Sequence, residues 1–171
     1  MNRVLVVGCS GAGKSTLAAQ ISESTGLPYV PTDSFYWEAG WKPTPVETMV
    51  KQLEDTISKR AWVLDGNFVD QRDRVWQQAD TVIWLDLPRR RVLSRVVRRN
   101  FGWWFTRAIT WSGNRMTWRR AWSGVRHSFR SHKKKRRTYP VYLREFPHLK
   151  ILRFRSPAEV RLWLTCLQSS L

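Results

Sequence analysis

Five short apolar runs, with helical patterns between them, organise the chain. The runs occupy residues 3–7, 27–30, 61–64, 81–85 and 149–154. Their length and unbroken apolar character are typical of strands buried on both faces of a sheet. Leu17, Ala18 and Ile21 share one helical face just after the first run. Because strands alternate with helices, we predict an α/β fold with a doubly wound, parallel five-stranded sheet flanked by helices.

Two capping patterns and two further helical stretches complete the predicted elements. Thr44 to Glu47 and Ser156 to Glu159 have the Ser/Thr-x-x-Glu pattern of a capping box, with proline at the first helical position. They predict helices that end near residues 59 and 167. Helices are also expected at 88–100 and 118–137. Residues 101–117 remain unassigned, because glycine and bulky aromatic residues crowd this stretch.

Positive charge is concentrated in one part of the chain. The 171 residues include 30 Lys and Arg against 13 Asp and Glu, which gives a formal net charge of +17. Eighteen of the basic residues and none of the acidic ones lie between Leu87 and Arg144. At this length we predict a single domain, residues 1–171, in which residues 88–140 form a basic, Trp- and Arg-rich lid. Residues 88–140 are called the basic segment below.

The composition of the basic segment leaves three interpretations open. It could be a lid that closes over a nucleoside triphosphate, a surface for nucleic-acid backbones, or a solvated or lipid-facing basic patch. Five of the eleven tryptophans lie in this segment, and a mixture of cations and aromatic rings suits phosphates and stacked bases. Charge alone does not rank the three.

Membrane and export patterns are absent from the sequence. The apolar runs are far shorter than the roughly 20 residues of a membrane-spanning helix, so we expect no transmembrane segment. The first residues lack a signal-peptide cleavage pattern. Cys9 and Cys166 provide neither a disulfide framework nor a Cys/His metal cluster. We therefore predict a cytoplasmic location.

A phosphate-binding motif follows the first predicted strand. Residues 8–16 read G-C-S-G-A-G-K-S-T and fit the Walker A pattern G-x-x-x-x-G-K-[ST], between a strand and a helix. Such a loop turns its N–H groups toward phosphate oxygens, Lys14 reaches the β- and γ-phosphates, and Ser15 offers a hydroxyl to Mg²⁺. The predicted cofactors are ATP and Mg²⁺. The predicted cofactor-binding residues of the loop are Gly8, Ser10, Gly11, Ala12, Gly13, Lys14, Ser15 and Thr16.

Three aspartates end predicted strands, at the sheet edge where ligands of α/β proteins bind. Asp65 suits the Walker B role of holding Mg²⁺, with a structural turn as the alternative. Asp33 suits a base that orients an acceptor hydroxyl, with a helix cap or loop residue as the alternative. For Asp86 the structural interpretation is preferred.

With these motifs in place, the chain resembles the small P-loop kinases, the adenylate-kinase-like group that includes shikimate and gluconate kinases. Within that group it resembles the bacterial FlaR-like or topology modulation proteins. The resemblance is carried by four segments, namely residues 8–16, 32–41, 64–67 and 82–88. It implies a phosphoryl-transfer fold, although the topology label implies a role with DNA.

The resemblance assigns further arginines. In adenylate kinases a proline after the fourth strand precedes two nucleotide-contacting arginines by seven and eleven residues, and Pro88 here precedes Arg95 and Arg99 by those distances. Both are expected to contact the nucleotide, with solvated helix arginines as the alternative. Arg126 and Arg130, one helical turn apart, are the expected lid arginines that stabilise charge on the transferred phosphoryl group.

The chain departs from adenylate kinases on the acceptor side. The arginine three residues after the Asp33 position is replaced by Tyr36, and the proline-arginine after the Asp-Gly pair is replaced by residues 67–69, Asn-Phe-Val. An acceptor hydroxyl oriented by Asp33 is therefore favoured over a nucleoside monophosphate. Asn67 and the aromatic residues at 35–37 and 41 would line its pocket, with simple packing as the alternative.

Three functional hypotheses follow. The first is an ATP- and Mg²⁺-dependent phosphotransferase that moves the γ-phosphoryl group to an acceptor hydroxyl or phosphate of a small molecule or nucleotide, with ATPase activity as an accompaniment. The second is a nucleic-acid-binding P-loop NTPase whose basic segment contacts DNA or RNA nonspecifically. The third, nucleotide binding without turnover, is disfavoured by the intact Lys14, Ser15 and Asp65. The oligomeric state is left open.

Overall fold

The described part of the chain forms the predicted alternation of strands and helices. The computed structural model describes residues 1–169, without the side chains of Asp33, Ser34 and Trp111. The strands are β1 (Arg3–Gly8), β2 (Tyr29–Val30), β3 (Trp62–Asp65), β4 (Thr81–Leu85) and β5 (Lys150–Phe154). The α-helices are α1 (Lys14–Thr25), α2 (Asp33–Tyr36), α3 (Val46–Ile57), α4 (Arg72–Gln78), α5 (Arg89–Phe105), α6 (Trp118–Arg144) and α7 (Pro157–Ser169).

The strands form one parallel sheet in the order β2-β3-β1-β4-β5. β1 lies at the centre, where Val4 is opposite Val63 of β3 and Thr81 of β4. All its neighbours are parallel, so the carboxyl ends of β1, β3 and β4 meet at one edge. The predicted α/β class with a five-stranded parallel sheet flanked by helices is confirmed.

Two apolar layers cover the two faces of the sheet. Successive residues of β1 alternate between them, because side chains along a strand point to opposite faces. Val4 and Val6 pack with α1 and α7, whereas Leu5 and Val7 pack with α3, α4 and the end of α6. The second layer contains the fully buried Trp76. Both faces of β1 are therefore buried from solvent, as the unbroken apolar run predicts.

The capping box predicted at Thr44 is wrong. α3 begins at Val46, with Pro45 in extended conformation at the cap position and no side-chain cap hydrogen bond. The Thr44 N–H instead donates to the Tyr36 carbonyl at 3.2 Å, beside the pairing of Trp37 with Pro43. Loop pairing thus takes the place of the cap. The second capping box is confirmed, since the Glu159 N–H donates to the Ser156 hydroxyl at 3.2 Å.

α6 runs seven residues beyond its predicted end and passes through Pro140. A proline inside a helix removes a hydrogen bond and costs about 3 kcal/mol. Tyr139 and Leu143, on either side of it, are buried in the core layer that contains Trp76 and Trp84. Burial of these side chains offsets the backbone cost, so tertiary packing overrides the local helix-stop signal.

Tyr139→Ala is expected to lower the free energy of unfolding by about 3–5 kcal/mol, because it removes a ring packed against Trp76 and Trp84. Urea unfolding measures the change. Val141→Ala, on the exposed side of the same helix, serves as the control. A loss below about 1 kcal/mol for Tyr139→Ala would show that the end of α6 is not part of the core.

Candidate nucleotide-binding site

The loop between β1 and α1 forms a cradle at the carboxyl edge of the sheet. Gly11 and Gly13 have positive φ angles of +81° and +96°, a conformation that side chains rarely adopt. A Cβ atom at Gly11 would lie 2.3 Å from Val96 Cγ2 and 2.9 Å from the Val92 carbonyl oxygen. The motif glycines therefore serve both the turn of the loop and the close approach of α5.

Two oxygen groups suited to a hard cation meet beside the loop. The Ser15 hydroxyl donates to Asp65 Oδ2 at 2.5 Å. Asp65 ends β3 and is 3% exposed, and its other oxygen accepts hydrogen bonds from the Tyr29 hydroxyl at 3.1 Å and the Thr32 N–H at 3.4 Å. Mg²⁺ prefers a few such oxygen ligands, completed by water and phosphate oxygens. The residues present fit a magnesium ion bound together with a triphosphate.

α5 places Arg95 and Arg99 against the loop, one helical turn apart. Arg95 Nη1 donates to the Ala12 carbonyl at 3.4 Å, and Arg99 Nη2 donates to the Ser10 hydroxyl at 3.4 Å. The Arg99 guanidinium also lies over the Trp103 ring, 4.9 Å from its centroid. Both contacts with the loop are long for N–H···O bonds and are therefore weak.

α6 crosses the outer side of the loop. The Ser128 hydroxyl donates to the Ser10 carbonyl at 3.0 Å. The buried Cys9 thiol lies 3.4 Å from both the Ser128 carbonyl and the Ser131 hydroxyl. His132, also buried, places Nε2 3.0 Å from the Leu87 carbonyl oxygen. Part of the basic segment is therefore packed on the phosphate loop, rather than standing away from it.

Lys135, on the same face of α6, is a second lysine at the phosphate loop. Its ammonium group donates to the Gly8 carbonyl at 3.3 Å. Burial, together with the positive charge of nearby Lys14, lowers the pKa of Lys135 from its ordinary value of 10.5 to about 8. Burial and Lys135 also lower the pKa of His127. The loop thus carries more positive charge than its own motif supplies.

Sequence reasoning missed Lys135 and selected Arg126 and Arg130 instead. Both arginines are exposed and lie outside the residues that line the cleft, so their role stays a prediction. The face that meets the loop carries Ser128 and Lys135, seven residues apart, or two helical turns. The sequence signal for that face is the group of small and polar residues, Ser128, Ser131 and His132, that lies between the basic residues of α6. Ser128 and Lys135 both lie within the helix predicted at 118–137, but that prediction does not show which face of the helix meets the loop.

Asn67 links the loop to the end of α6. Its Oδ1 atom accepts the Gly8 N–H at 3.2 Å and the Tyr139 hydroxyl at 2.5 Å. Burial raises the pKa of Tyr139, which keeps the hydroxyl protonated and able to donate. Asn67, predicted as a pocket residue, thus also fixes the beginning of the phosphate loop.

The segment after β2, where the acceptor is predicted to bind, forms part of the wall of the cleft. Tyr36 and Trp37 line the cleft, whereas Phe35 packs against the core. The side chain of Asp33, the predicted base, lies outside the described residues, and its role stays a prediction. Asp33 itself begins α2.

A clasp joins the segment after α2 to the loop between α5 and α6. The Asn114 side chain accepts the Trp41 N–H at 2.8 Å and donates to the Glu38 carbonyl at 2.9 Å. The Arg120 guanidinium lies over the rings of Trp41 and Trp37, 4.6 and 5.6 Å from their centroids. Trp41, predicted as a pocket residue, therefore contacts Asn114 and Arg120 and is not among the residues that line the cleft.

Asp86 has the structural role preferred for it. It is 4% exposed and forms ion pairs with Arg136 Nε at 3.0 Å and Arg153 Nη2 at 2.6 Å. Arg136 belongs to α6 and Arg153 to β5, so the buried carboxylate joins the two elements. Removal of either arginine would leave part of the negative charge of Asp86 uncompensated.

These elements enclose a cleft of about 1200 Å³. It is lined by the phosphate loop, by cations of α5 and α6, by residues of α2 and the adjoining loop, and by part of α7. The residues are Ser10 to Leu17, Gln20, Tyr36, Trp37, Asn67, Leu85, Leu87, Arg95, Arg98, Arg99, Trp103, His127, Lys135, Pro157, Val160, Arg161 and Leu164. This volume exceeds the roughly 300–1000 Å³ of a typical single-ligand pocket.

Comparisons with known proteins agree with this geometry. No family model matches the chain. The uncharacterized protein YqaC of Bacillus subtilis strain 168 is 31% identical over 98 residues, covering 56% of this chain and 55% of that protein. The shikimate kinase of Synechococcus elongatus is 33% identical over 111 residues, covering 54% of this chain and 56% of that enzyme. The chain thus spans about half the length of these curated relatives.

Among solved structures, a gluconokinase from Sinorhizobium meliloti 1021 superposes with a TM-score of 0.56 and 15% identity. The match covers 99% of this chain and 92% of the gluconokinase. The chain has the fold of the small P-loop kinases. No helix within residues 1–169 is long and apolar enough to span a membrane.

Arg95→Ala and Arg99→Ala are each expected to weaken ATP binding by about 10- to 100-fold, equivalent to about 1.5–3 kcal/mol for a hydrogen bond to a charged group. Titration calorimetry measures the affinities. Arg91→Ala is the control, because Arg91 is exposed on the same helix and does not line the cleft. An equal loss for Arg91→Ala would indicate a diffuse charge effect and contradict specific contacts.

Nucleotide binding is expected to take up a proton at Lys135 in mildly alkaline solution. The pKa of Lys135 is about 8 without nucleotide, and adjacent phosphate oxygens would raise it. ATP affinity should therefore be constant below the free-state pKa and fall as pH rises from about 8 toward the bound-state pKa. The phosphates do not contribute in this window, since their last pKa is near 6.

Calorimetry at about pH 8.5 in two buffers of different ionisation enthalpy counts the protons taken up. Lys135→Met should abolish the uptake, and Lys134→Met, at an exposed neighbouring position, should retain it. Equal uptake by wild type and Lys135→Met would assign the proton to another group.

Proposed function

We propose that the protein is an ATP- and Mg²⁺-dependent phosphotransferase acting on a small-molecule acceptor. The observation that carries the proposal is the continuity of the cleft. Its lining runs from the phosphate loop at Lys14 and Ser15 to Tyr36 and Trp37 after β2. One cavity thus has room for a triphosphate and for a second molecule beside its terminal phosphate.

The phosphate loop and its neighbours would bind the nucleotide. Loop N–H groups and Lys14 would hold the β- and γ-phosphates, and Arg95 and Arg99 would contact the nucleotide from α5. Ser15 and Asp65 would hold Mg²⁺, which neutralises charge on the phosphate oxygens when bound. Lys135 would add a further cation next to the loop. Such fixed charges stabilise the charge spread over the transferred phosphoryl group.

Acceptor activation is assigned to Asp33. As the acceptor oxygen bonds to the γ-phosphorus, its proton would pass to the Asp33 carboxylate, and ADP would leave with the bridging oxygen. Tyr36 and Asn67 occupy positions where adenylate kinases carry acceptor-phosphate contacts, and neither side chain is cationic. This favours a hydroxyl acceptor over a nucleoside monophosphate. The similarity to a shikimate kinase supports a small-molecule acceptor.

Two finer assignments belong to the same proposal. Membership of the FlaR-like or topology modulation group rests on the segments at residues 8–16, 32–41, 64–67 and 82–88. A cytoplasmic location rests on the cysteine content. Binding to nucleic acid is the competing function, and the experiment below separates the two.

Phosphorus NMR with ATP and Mg²⁺ tests the proposal against pooled sugars, hydroxy acids, nucleosides and nucleotides, with and without DNA. A new phosphoester resonance that does not depend on DNA is expected. Lys14→Ala should lower its rate of appearance by about 100-fold or more, because a fixed charge at the transferred group is lost. Lys51→Ala, exposed on α3, is the matched control and should leave the rate unchanged.

Asp33→Asn separates transfer from nucleotide binding. It should lower the rate of phosphoester formation by about 100-fold or more while ATP affinity stays at the wild-type value. Phosphate release that requires DNA, with no phosphoester from any pool, would overturn the proposal in favour of a nucleic-acid-dependent NTPase.

A further inference from the structure

Large apolar side chains are exposed on the outer side of α5, α6 and the loop that joins them. Phe105 is 84% exposed and Ile109 is 69% exposed. We call this set the apolar stripe. It comprises Trp104, Phe105, Ile109, Trp118, Trp122 and Phe129. A concentration of exposed apolar side chains on one part of a surface marks an interaction site, whereas single exposed residues need no explanation.

The apolar stripe follows one side of the helical hairpin. Trp118, Trp122 and Phe129 are spaced by four and seven residues, which aligns them along α6. At its far end the Arg89 guanidinium of α5 lies over the Phe129 ring, 3.5 Å from the centroid. At the near end the loop closes with Ile109 paired to Arg115. Both helices and their connection therefore contribute exposed apolar side chains to this hairpin.

The apolar stripe lies within a field of positive charge. No acidic residue occurs between Leu87 and Arg144, where eighteen basic residues lie. Exposed cations flank the stripe along α6, among them Arg119 and Lys133. A second copy of the chain would bring the same charge to the contact and be repelled. The complementary partner is consequently anionic and able to receive apolar side chains.

The side chains in the apolar stripe favour a lipid over a nucleic acid. Ile109 is aliphatic and cannot stack on a base, and its exposure at the hairpin tip suits insertion among acyl chains. Trp and Phe together with Arg and Lys on a helical surface are typical of proteins that lie in the membrane interface. Anionic lipids of the cytoplasmic leaflet attract such cations.

We propose that the apolar stripe docks the protein on the surface of an anionic phospholipid bilayer. This function goes beyond phosphoryl transfer and does not depend on it. Another face of α6, carrying Ser128 and Lys135, contacts the phosphate loop. Membrane contact and nucleotide contact therefore use different sides of one helix and can occur together.

Vesicle flotation with the full-length protein tests the proposal. Vesicles of phosphatidylcholine with about 30% phosphatidylglycerol should bind the protein, and pure phosphatidylcholine vesicles should not. Phe105→Ser combined with Trp122→Ser should weaken binding by about tenfold or more, since both side chains lose apolar contact with the bilayer. Arg119→Gln should weaken it by about fivefold through charge alone.

Leu162→Ser is the matched control. Leu162 is 69% exposed on α7, outside the apolar stripe, and its replacement should leave vesicle binding unchanged. Each variant is expected to fold, because the replaced side chains are exposed, and circular dichroism melting checks this. Lack of binding to anionic vesicles at low salt would overturn the proposal.

Two further outcomes would replace the bilayer with another partner. If single-stranded DNA binds and the Phe105 and Trp122 changes abolish that binding while vesicle binding persists, the stripe is a nucleic-acid surface. If those changes dissociate a dimer seen by light scattering and leave vesicle binding intact, the partner is a second copy of the chain. Either result overturns the proposal.

Discussion

The hydrogen-bonded contact between α6 and the phosphate loop is the constraint on which the site depends. The Ser128 hydroxyl holds the Ser10 carbonyl at 3.0 Å, and Lys135 holds the Gly8 carbonyl at 3.3 Å. Further along the same helix, Tyr139 is buried in the core and donates to Asn67, which accepts the Gly8 N–H. The loop is thus fixed from outside by a helix that is itself anchored in the core. Pre-organisation of this kind lowers the entropy cost of binding phosphates.

The proposed function gives a reason for the absence of acidic residues from residues 87–144. In a triphosphate site the inner face of this segment would present cations to phosphates, and a carboxylate there would neutralise Lys14 or Lys135 before a nucleotide bound. The charge of Asp86, which precedes the segment, is already compensated by ion pairs with Arg136 and Arg153. The outer face carries the exposed aromatic and basic residues of the hairpin. One helix thereby combines a contact with the phosphate loop, a core anchor and an outward surface.

Local sequence patterns predicted the sheet and the phosphate loop, because strand burial and glycine backbone conformation each leave a pattern in a short stretch of sequence. Buried parallel strands read as apolar runs, and the loop glycines have positive φ angles that few residues tolerate. Arg95 and Arg99 contact the loop, and their role at the nucleotide stays a prediction. Lys135 and Tyr139 could not be predicted in the same way. Lys135 lies within the predicted helix, but tertiary packing determines which face of that helix meets the loop. Tyr139 acts from a continuation of the helix through Pro140, which burial of Tyr139 and Leu143 in the core stabilises.

A crystal structure with Mg²⁺ and a non-hydrolysable ATP analogue tests the central claim, that α6 and the phosphate loop together form one triphosphate site. We predict phosphate oxygens within hydrogen-bonding distance of Nζ of both Lys14 and Lys135, and the metal beside Ser15 and Asp65. Lys135 would exchange its bond to the Gly8 carbonyl for a phosphate oxygen. A nucleotide bound by the loop alone, with Lys135 still on Gly8 and remote from every phosphate, would contradict the account.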